Sequence, residues 1–539
     1  MTRKKAAAVS SATIIFCLFC CYLPARASSS SVAAASSADD FVRCLTTAMP
    51  SQLVFPRSSP SFASVLASSI RNPKFMVPGT ARPLCVATPA NASHVQAAVL
   101  CGRRHGVRLR VRSGGHDLEG LSYRSAARAG GDEDDDAAFA VLDLAPGLRA
   151  VRVDVEAGTA WVDSGATVGE LYYAVGKASG DRLAFPAGLC PTIGVGGHLS
   201  GGGFGMLLRK HGVAADHVVD ALLVDARGRV LDRDGMGADV FWAIRGGGGA
   251  SFGVVLSWQV RLVPVPRVVT AFKVPVSVDR GAVGVLTKWQ TAAPAFPDDL
   301  FVRVLVQGNV AEFQSLYLGT CAALLPVMRG RFPELGLNRT HCREMTWLQS
   351  VPYIYLGSGA AVEDILNRTT SLAAASKATS DYVREPLAGA AWTEIFRWLA
   401  KPNAGLMILD PYGGKIGSVA ESDTPFPHRG GVLFNIQYMN FWPAADGDAA
   451  AGTKWIRDMY AFMEPHVSKN PREAYFNYRD LDLGQNVVVG NVSSYEAGKV
   501  WGDKYFKGNF RRLAMAKAQI DPHDYFRNEQ SVPPLVASN

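Results

Sequence analysis

Two side chains that can act as nucleophiles, His116 and Cys190, each sit inside a glycine-rich run. The first run is Arg112-Ser113-Gly114-Gly115-His116. The second opens as Cys190-Pro191-Thr192-Ile193-Gly194-Val195-Gly196-Gly197-His198 and continues through Ser200-Gly201-Gly202-Gly203-Phe204-Gly205. Glycine, lacking a Cβ, lets the main chain come close to a bulky anion such as a pyrophosphate and tolerates positive φ. A lone histidine beside glycines is ordinarily structural. Two reactive side chains in two separate glycine loops point instead to a role at a large anionic cofactor.

The familiar nucleotide templates fail. The dinucleotide pattern GxGxxG breaks at Gly194–Leu199, which ends in leucine, and at Gly246–Ser251, which ends in serine. No GxxxxGK[ST] phosphate loop is present. Gly249-Ala250-Ser251-Phe252-Gly253 does match GxSxG. That elbow needs a strand before the serine and a helix after it. Here a glycine run precedes the serine and Val254–Trp258 reads as a strand, so the order is inverted and a hydrolase is disfavoured.

The elements that must carry these loops are short. Arg108–Arg112, Ala140–Leu144, Val151–Val155 and Thr159–Asp163 alternate as strands, and Thr167–Ala178 has helical spacing. Asp220–Val224 and Val230–Asp232 form an expected hairpin. Phe41, Val42 and Leu45, then Phe62, Val65 and Leu66, give Asp40–Arg71 a helical pattern. The prolines of Val263-Pro264-Val265-Pro266 close the first region. The expected organisation is a leader at 1–27, a first domain at 40–266, a second lobe at 267–474 and a closing segment at 475–535. The acidic run Gly131–Asp136 lacks the spacing of a calcium loop and reads as a solvated insertion, so no metal is expected.

Composition sets outer limits. The chain has 539 residues, 48% hydrophobic and 19% charged, which is globular rather than disordered. Met1–Ala27 has a basic start, an apolar stretch over Ile14–Leu23 and Ala25-Arg26-Ala27 before a serine run, the layout of a cleavable secretory signal. Its removal takes away four basic residues and lowers the net charge from +8 to +4. No clustered basic face argues for nucleic acid, and no membrane span is expected after cleavage. Six cysteines remain, of which Cys321 and Cys342 are close enough in sequence to pair in an oxidising compartment. Asn91, Asn338, Asn367 and Asn491 are glycosylation acceptors in a secreted chain. The expected location is the cell wall, apoplast or vacuole, and the expected state a monomer.

Six ordered motifs make the chain recognisable: RSGGHDLEGLSY (112–123), CPTIGVGGHLSGGGFG (190–205), FWAIRGGGGASFGVV (241–255), YFNYRDLDLG (475–484), WGDKYFKGNFRRL (501–513) and DPHDYFRNEQS (521–531). Together they resemble the plant berberine bridge enzyme-like family, within the vanillyl-alcohol oxidase/p-cresol methylhydroxylase fold. The resemblance implies an α+β, two-lobed, PCMH-type FAD-binding fold whose substrate lobe is an antiparallel sheet. The segment 475–535 then completes the FAD domain. It implies bicovalent FAD, with His116 on the flavin 8α-methyl and Cys190 on C6. Arg112, Ser113, Gly114, Gly115, Gly194, Gly197, Gly201 and Val255 would line the cofactor, and His198 would hydrogen-bond near the N1/C2 carbonyl. Family precedent also pairs Cys44 with Cys101 and leaves Cys85 a free thiol.

Departures from the family pattern fall where substrate would sit. Alkaloid-cyclising relatives use a glutamate where this chain has Gln437. Alcohol-oxidising relatives carry tyrosines at Leu118 and Phe204 and a lysine at Asn435. Tyr478 remains as the residue to assist removal of a hydroxyl proton, given a lowered pKa, with Gln437 orienting substrate. Where relatives that admit oxygen have valine, this chain has the larger Ile193, which implies a dehydrogenase using another electron acceptor. The expected activity is oxidation of an alcohol, in a monolignol or a sugar, by hydride transfer to FAD. The alternatives are alkaloid-type oxidation and a catalytically weak secreted flavoprotein of the pollen-allergen kind.

Overall fold

The computed structural model describes residues 29–535 apart from 69, 78, 126–137, 370–373 and 444–448. The expected leader at 1–27 and the acidic run Gly131–Asp136 lie outside the described residues. Helices and antiparallel sheets mix along the chain, which is the α+β class expected.

A four-stranded sheet orders Val54–Pro56, Cys85–Ala87, Phe139–Asp143 and Arg108–Arg112, the last three parallel. Helices Ser29–Ala48 and Ala92–Arg104 pack on it, and Cys44–Cys101 joins them covalently. Asp40–Arg71 is not one helical stretch. The helix ends at Ala48, ahead of Pro50, and the strand Val54–Pro56 separates it from the short helix Phe62–Ala67. Proline lacks the donor that would continue the first helix, and strand pairing with Cys85–Ala87 takes over.

A five-stranded antiparallel sheet follows in the order Val151–Asp154, Thr159–Asp163, Val254–Arg261, Val218–Val224, Val230–Leu231. The helix expected after Thr167 runs Val168–Ser179, and its ends explain its limits. Thr167 Oγ1 accepts from Glu170 N at 3.2 Å while Glu170 returns a carboxylate oxygen to Thr167 N at 2.9 Å, a capping box. Gly180 closes it at φ 61°, a left-handed conformation that costs glycine little. Val263–Pro264 does more than close the first region: it pairs with Leu183–Ala184 as a short ladder.

The second lobe is a seven-stranded antiparallel sheet ordered Arg343–Met345, Val269–Ser277, Val310–Tyr317, Leu300–Gln307, Leu406–Pro411, Phe434–Pro443, Ala374–Val383. Alternation sorts its two faces. Phe272, Val304, Phe313, Leu409, Phe434 and Ile436 bury against helices Ala282–Ala292, Gly389–Leu399 and Ala449–Met463. The opposite face turns Ile408, Asp410, Gln437, Met439 and Phe441 toward the glycine loops. The closing segment returns to the first region: Lys517 Nζ reaches Ser251 O at 2.7 Å, and Val532 N donates to Ser251 Oγ at 3.1 Å. Ser251 is thereby buried as a structural acceptor, not exposed as a nucleophile.

Cys321–Cys342 is the second disulfide, while Cys85 is a buried thiol. The acceptor asparagines Asn91, Asn338, Asn367 and Asn491 are all exposed. Among the described residues no helix is long and apolar enough to cross a membrane, and no cluster of metal-ligating side chains occurs.

Candidate active site

One cavity of about 470 Å³ lies between the glycine loops and the open face of the seven-stranded sheet. Both nucleophiles line it. His116 leaves the end of strand Arg108–Arg112, and Cys190 precedes the short helix Val195–Ser200. A single hydroxyl joins them: Thr192 Oγ1 lies 2.9 Å from His116 Nε2 and 3.4 Å from Cys190 Sγ. Burial, with the Arg71 charge nearby, pushes the His116 imidazole down to about 3, so it is a neutral nucleophile at ordinary pH.

The glycines divide into two kinds. A Cβ on Gly114 would lie 2.3 Å from Gly194 N, and one on Gly194 would lie 2.1 Å from Ser113 Oγ. These two glycines therefore let the loops touch each other. Gly197 has no atom within 4 Å of where its Cβ would stand, so it faces the cavity openly. Gly201 makes room for Asn477, whose Oδ1 would lie 2.0 Å from a Cβ there. Gly115 adopts φ 71° and lines the cavity, as does Val255.

Arg112 does not line the cavity. Its guanidinium is wholly buried, paired with Asp143 at 2.7 Å and donating to Leu66 O and Val65 O at 2.7 and 2.9 Å. It fixes the root of the His116 loop instead. Ser113 lines the cavity with its hydroxyl spent on Ser164 O at 2.5 Å.

His198 Nε2 accepts from Gly188 N at 2.9 Å, which places the ring proton on Nδ1. Burial lowers this histidine to about 4, so it offers a neutral N–H donor in the cavity lining. A shape with open glycine, neutral donors and two adjacent nucleophiles fits a flavin dinucleotide held along this cleft.

The substrate side differs from expectation in two respects. Tyr478 lines the cavity and packs on Tyr475 at 4.9 Å and Phe204 at 6.2 Å between ring centres. Its pKa is not lowered: burial first, then the Asp410 charge, raises the phenol well above the usual tyrosine range. Tyr478 is a neutral phenol at rest. Asn435 lies outside the cavity, fully buried, with its amide donating to Asp381 O at 3.1 Å. Leu118, Ile193, Phe204 and Gln437 do line it.

Three contributors escaped the sequence reading. Asp410 and Arg303 line the cavity as an ion pair at 3.2 Å, both largely buried. Burial raises the Asp410 carboxyl and Arg303 opposes the rise. The available signal was a charge interrupting an apolar strand, Arg303 in Leu300–Gln307 and Asp410 in Leu406–Pro411. Tyr355, ending helix Trp347–Tyr355, also lines the cavity and interacts with the Cys190 thiol.

Two nucleophiles in glycine loops beneath a sheet-borne pocket suit a flavin-dependent oxidoreductase. Residues 83–233 match the family model "FAD binding domain", and residues 474–533 match "Berberine and berberine like". Berberine bridge enzyme-like Cyn d 4 of Cynodon dactylon is 61% identical over 497 residues, covering 92% of this chain and 93% of that protein. Among solved structures, the Bermuda grass isoallergen BG60 superposes with TM-score 0.89 at 61% identity, covering 92% of this chain and 100% of that one. Phl p 4, a grass pollen allergen with glucose dehydrogenase activity, does so with TM-score 0.89 at 56% identity over the same shares. A Phl p 4 variant with asparagine changed to histidine is a glucose dehydrogenase, and one in which an isoleucine five positions earlier is also changed to valine is a glucose oxidase. This chain belongs to the berberine bridge enzyme-like family of FAD-dependent oxidoreductases.

Proposed function

We propose that this chain is a secreted, monomeric dehydrogenase that holds FAD covalently through His116 and Cys190 and oxidises a hydroxyl of a glucose-like sugar. The observation that carries the sugar reading is the polar set Asp410, Arg303, Gln437 and Tyr478 on a lining that also offers apolar Ile408, Met439 and Phe441. A sugar presents adjacent hydroxyls that donate and accept at once, and a carboxylate, guanidinium, amide and phenol converging on one face suit it. The glucose dehydrogenase activity of Phl p 4 supports the same choice.

FAD, when bound, supplies the hydride acceptor. The chain's residues handle position and proton. Arg303 and Gln437 orient the sugar. Tyr478 takes the hydroxyl proton, and because its phenol is neutral it must pass its own proton on, with Asp410 as the charged neighbour to receive it. Arg303 favours the ionised form of Asp410 against the rise that burial imposes. His198, with its proton on Nδ1, would be the neutral donor offered to the flavin.

Ile193 and His198 stand five positions apart, the spacing of the two Phl p 4 positions, and this chain has isoleucine at the first and histidine at the second. That pairing supports a dehydrogenase whose acceptor is not oxygen. Two disulfides and four exposed glycosylation acceptors support secretion.

Anaerobic mixing with glucose, other sugars, a cinnamyl alcohol and a tertiary-amine alkaloid tests the reading through flavin absorbance. A sugar is expected to bleach the visible absorbance of the oxidised flavin. Bleaching by the cinnamyl alcohol or the alkaloid without any sugar response would overturn it.

A further inference from the structure

We propose that Lys377 and Arg479 are positioning residues whose crossed ion pairs hold Tyr478 in register with the His116 loop; this rests on the role given to Tyr478 above. Charged residues follow each of the two side chains, in His116-Asp117-Leu118-Glu119 and in Tyr478-Arg479-Asp480, more than 350 residues apart in sequence. Asp117 Oδ2 meets Arg479 Nε at 3.0 Å. Glu119 Oε1 meets Lys377 Nζ at 2.5 Å, and Lys377 Nζ also contacts Asp480 Oδ1. The residues immediately after each reactive side chain are therefore tied to each other twice, once directly and once through a lysine from strand Ala374–Val383.

Each carboxylate also organises its own segment. Asp117 Oδ1 accepts from Glu119 N and Leu121 N at 3.0 and 3.1 Å, and Asp480 Oδ1 accepts from Asp482 N at 2.9 Å. Loop shape and loop-to-loop register thus share the same acids. The strand joins in through Asn72, which exchanges hydrogen bonds with Ser376 at 2.9 and 3.1 Å, one residue before Lys377. Lys377 is only 4% exposed. Apolar packing would stabilise such a spot at least as well as buried charges, which cost desolvation. What ion pairs add is a fixed geometry, and a displacement of about 1 Å at a reacting group costs about 10²-fold in rate.

The test is a double-mutant cycle on the holoenzyme, with steady-state oxidation of glucose in the presence of an artificial electron acceptor as the readout. Asp117→Asn keeps the acceptor of the loop's own turn and weakens only the pair with Arg479. It is expected to lower kcat by up to about 10²-fold, with KM, flavin content and melting temperature near wild type. In a Tyr478→Phe background the same change is expected to have no further effect, because it acts through that phenol. Lys377→Met is expected to behave alike where it folds, and Arg479→Lys to retain most of the rate. An unchanged kcat in Asp117→Asn, or an equal loss in the Tyr478→Phe background, would overturn the proposal. A small effect of Tyr478→Phe alone would instead remove the reading on which it rests.

Discussion

Phenylalanine in place of Tyr478 is expected to slow flavin reduction by a true substrate about 10²- to 10⁴-fold, the range for loss of a proton-transfer partner. The ring packing on Tyr475 and Phe204 survives that change, so only the phenol oxygen is lost. The effect is large because Tyr478 links the substrate hydroxyl to Asp410, and neither Gln437, which cannot take a proton, nor Asn435, whose amide goes to Asp381, can replace it. Asp410→Asn is expected to fall in the same range, since a neutral phenol relays a proton only if a charged neighbour receives it. The pH profile follows in sign. Burial raises the Asp410 carboxyl above the ordinary aspartate value of 3.8, so acidification protonates it early and activity falls on that side. A loss below about tenfold in Tyr478→Phe, measured by stopped-flow reduction, would assign proton removal elsewhere.

Valine in place of Ile193 is the second large change, and it acts on the other half-reaction. Ile193 lines the cavity between Cys190 and Gly194 in sequence, and it is only partly buried. Removing one methylene opens space at the flavin without touching Asp410, Arg303, Gln437 or Tyr478. Reoxidation of the reduced flavin in air-saturated buffer is expected to become fast enough to sustain turnover, while anaerobic reduction by sugar stays unchanged. In the parent protein the same mixing is expected to leave the flavin reduced until another acceptor is added. Rapid reoxidation of the parent by air would contradict the dehydrogenase reading.

The two cavity-lining nucleophiles were legible in the sequence because they are local. His116 and Cys190 lie in contiguous glycine motifs, and the close approach of Gly114 to Gly194 explains why those loops need glycine. The helix after Thr167 was legible for the same reason, since its cap and its closing glycine are near neighbours. Asp410 and Arg303 were not legible. Their meeting depends on the register of Leu300–Gln307 against Leu406–Pro411, which no short motif encodes. Arg112 shows the opposite failure: its type suits a phosphate, yet Asp143 on the neighbouring parallel strand claims its charge. Tyr478 was placed correctly in the cavity, but its pKa moves the other way, because burial outweighs any charge that would stabilise a phenolate. Lys377 was silent in sequence, since a lone lysine in a strand gives no sign of the acids that fold around it.

Attachment of one flavin at two points, through His116 and Cys190, is tested most directly by proteolytic digestion followed by mass spectrometry. The expected product is a single species in which FAD joins a peptide containing His116 to a peptide containing Cys190. Release of intact FAD on acid precipitation, or an adduct with only one of the two peptides, would contradict it.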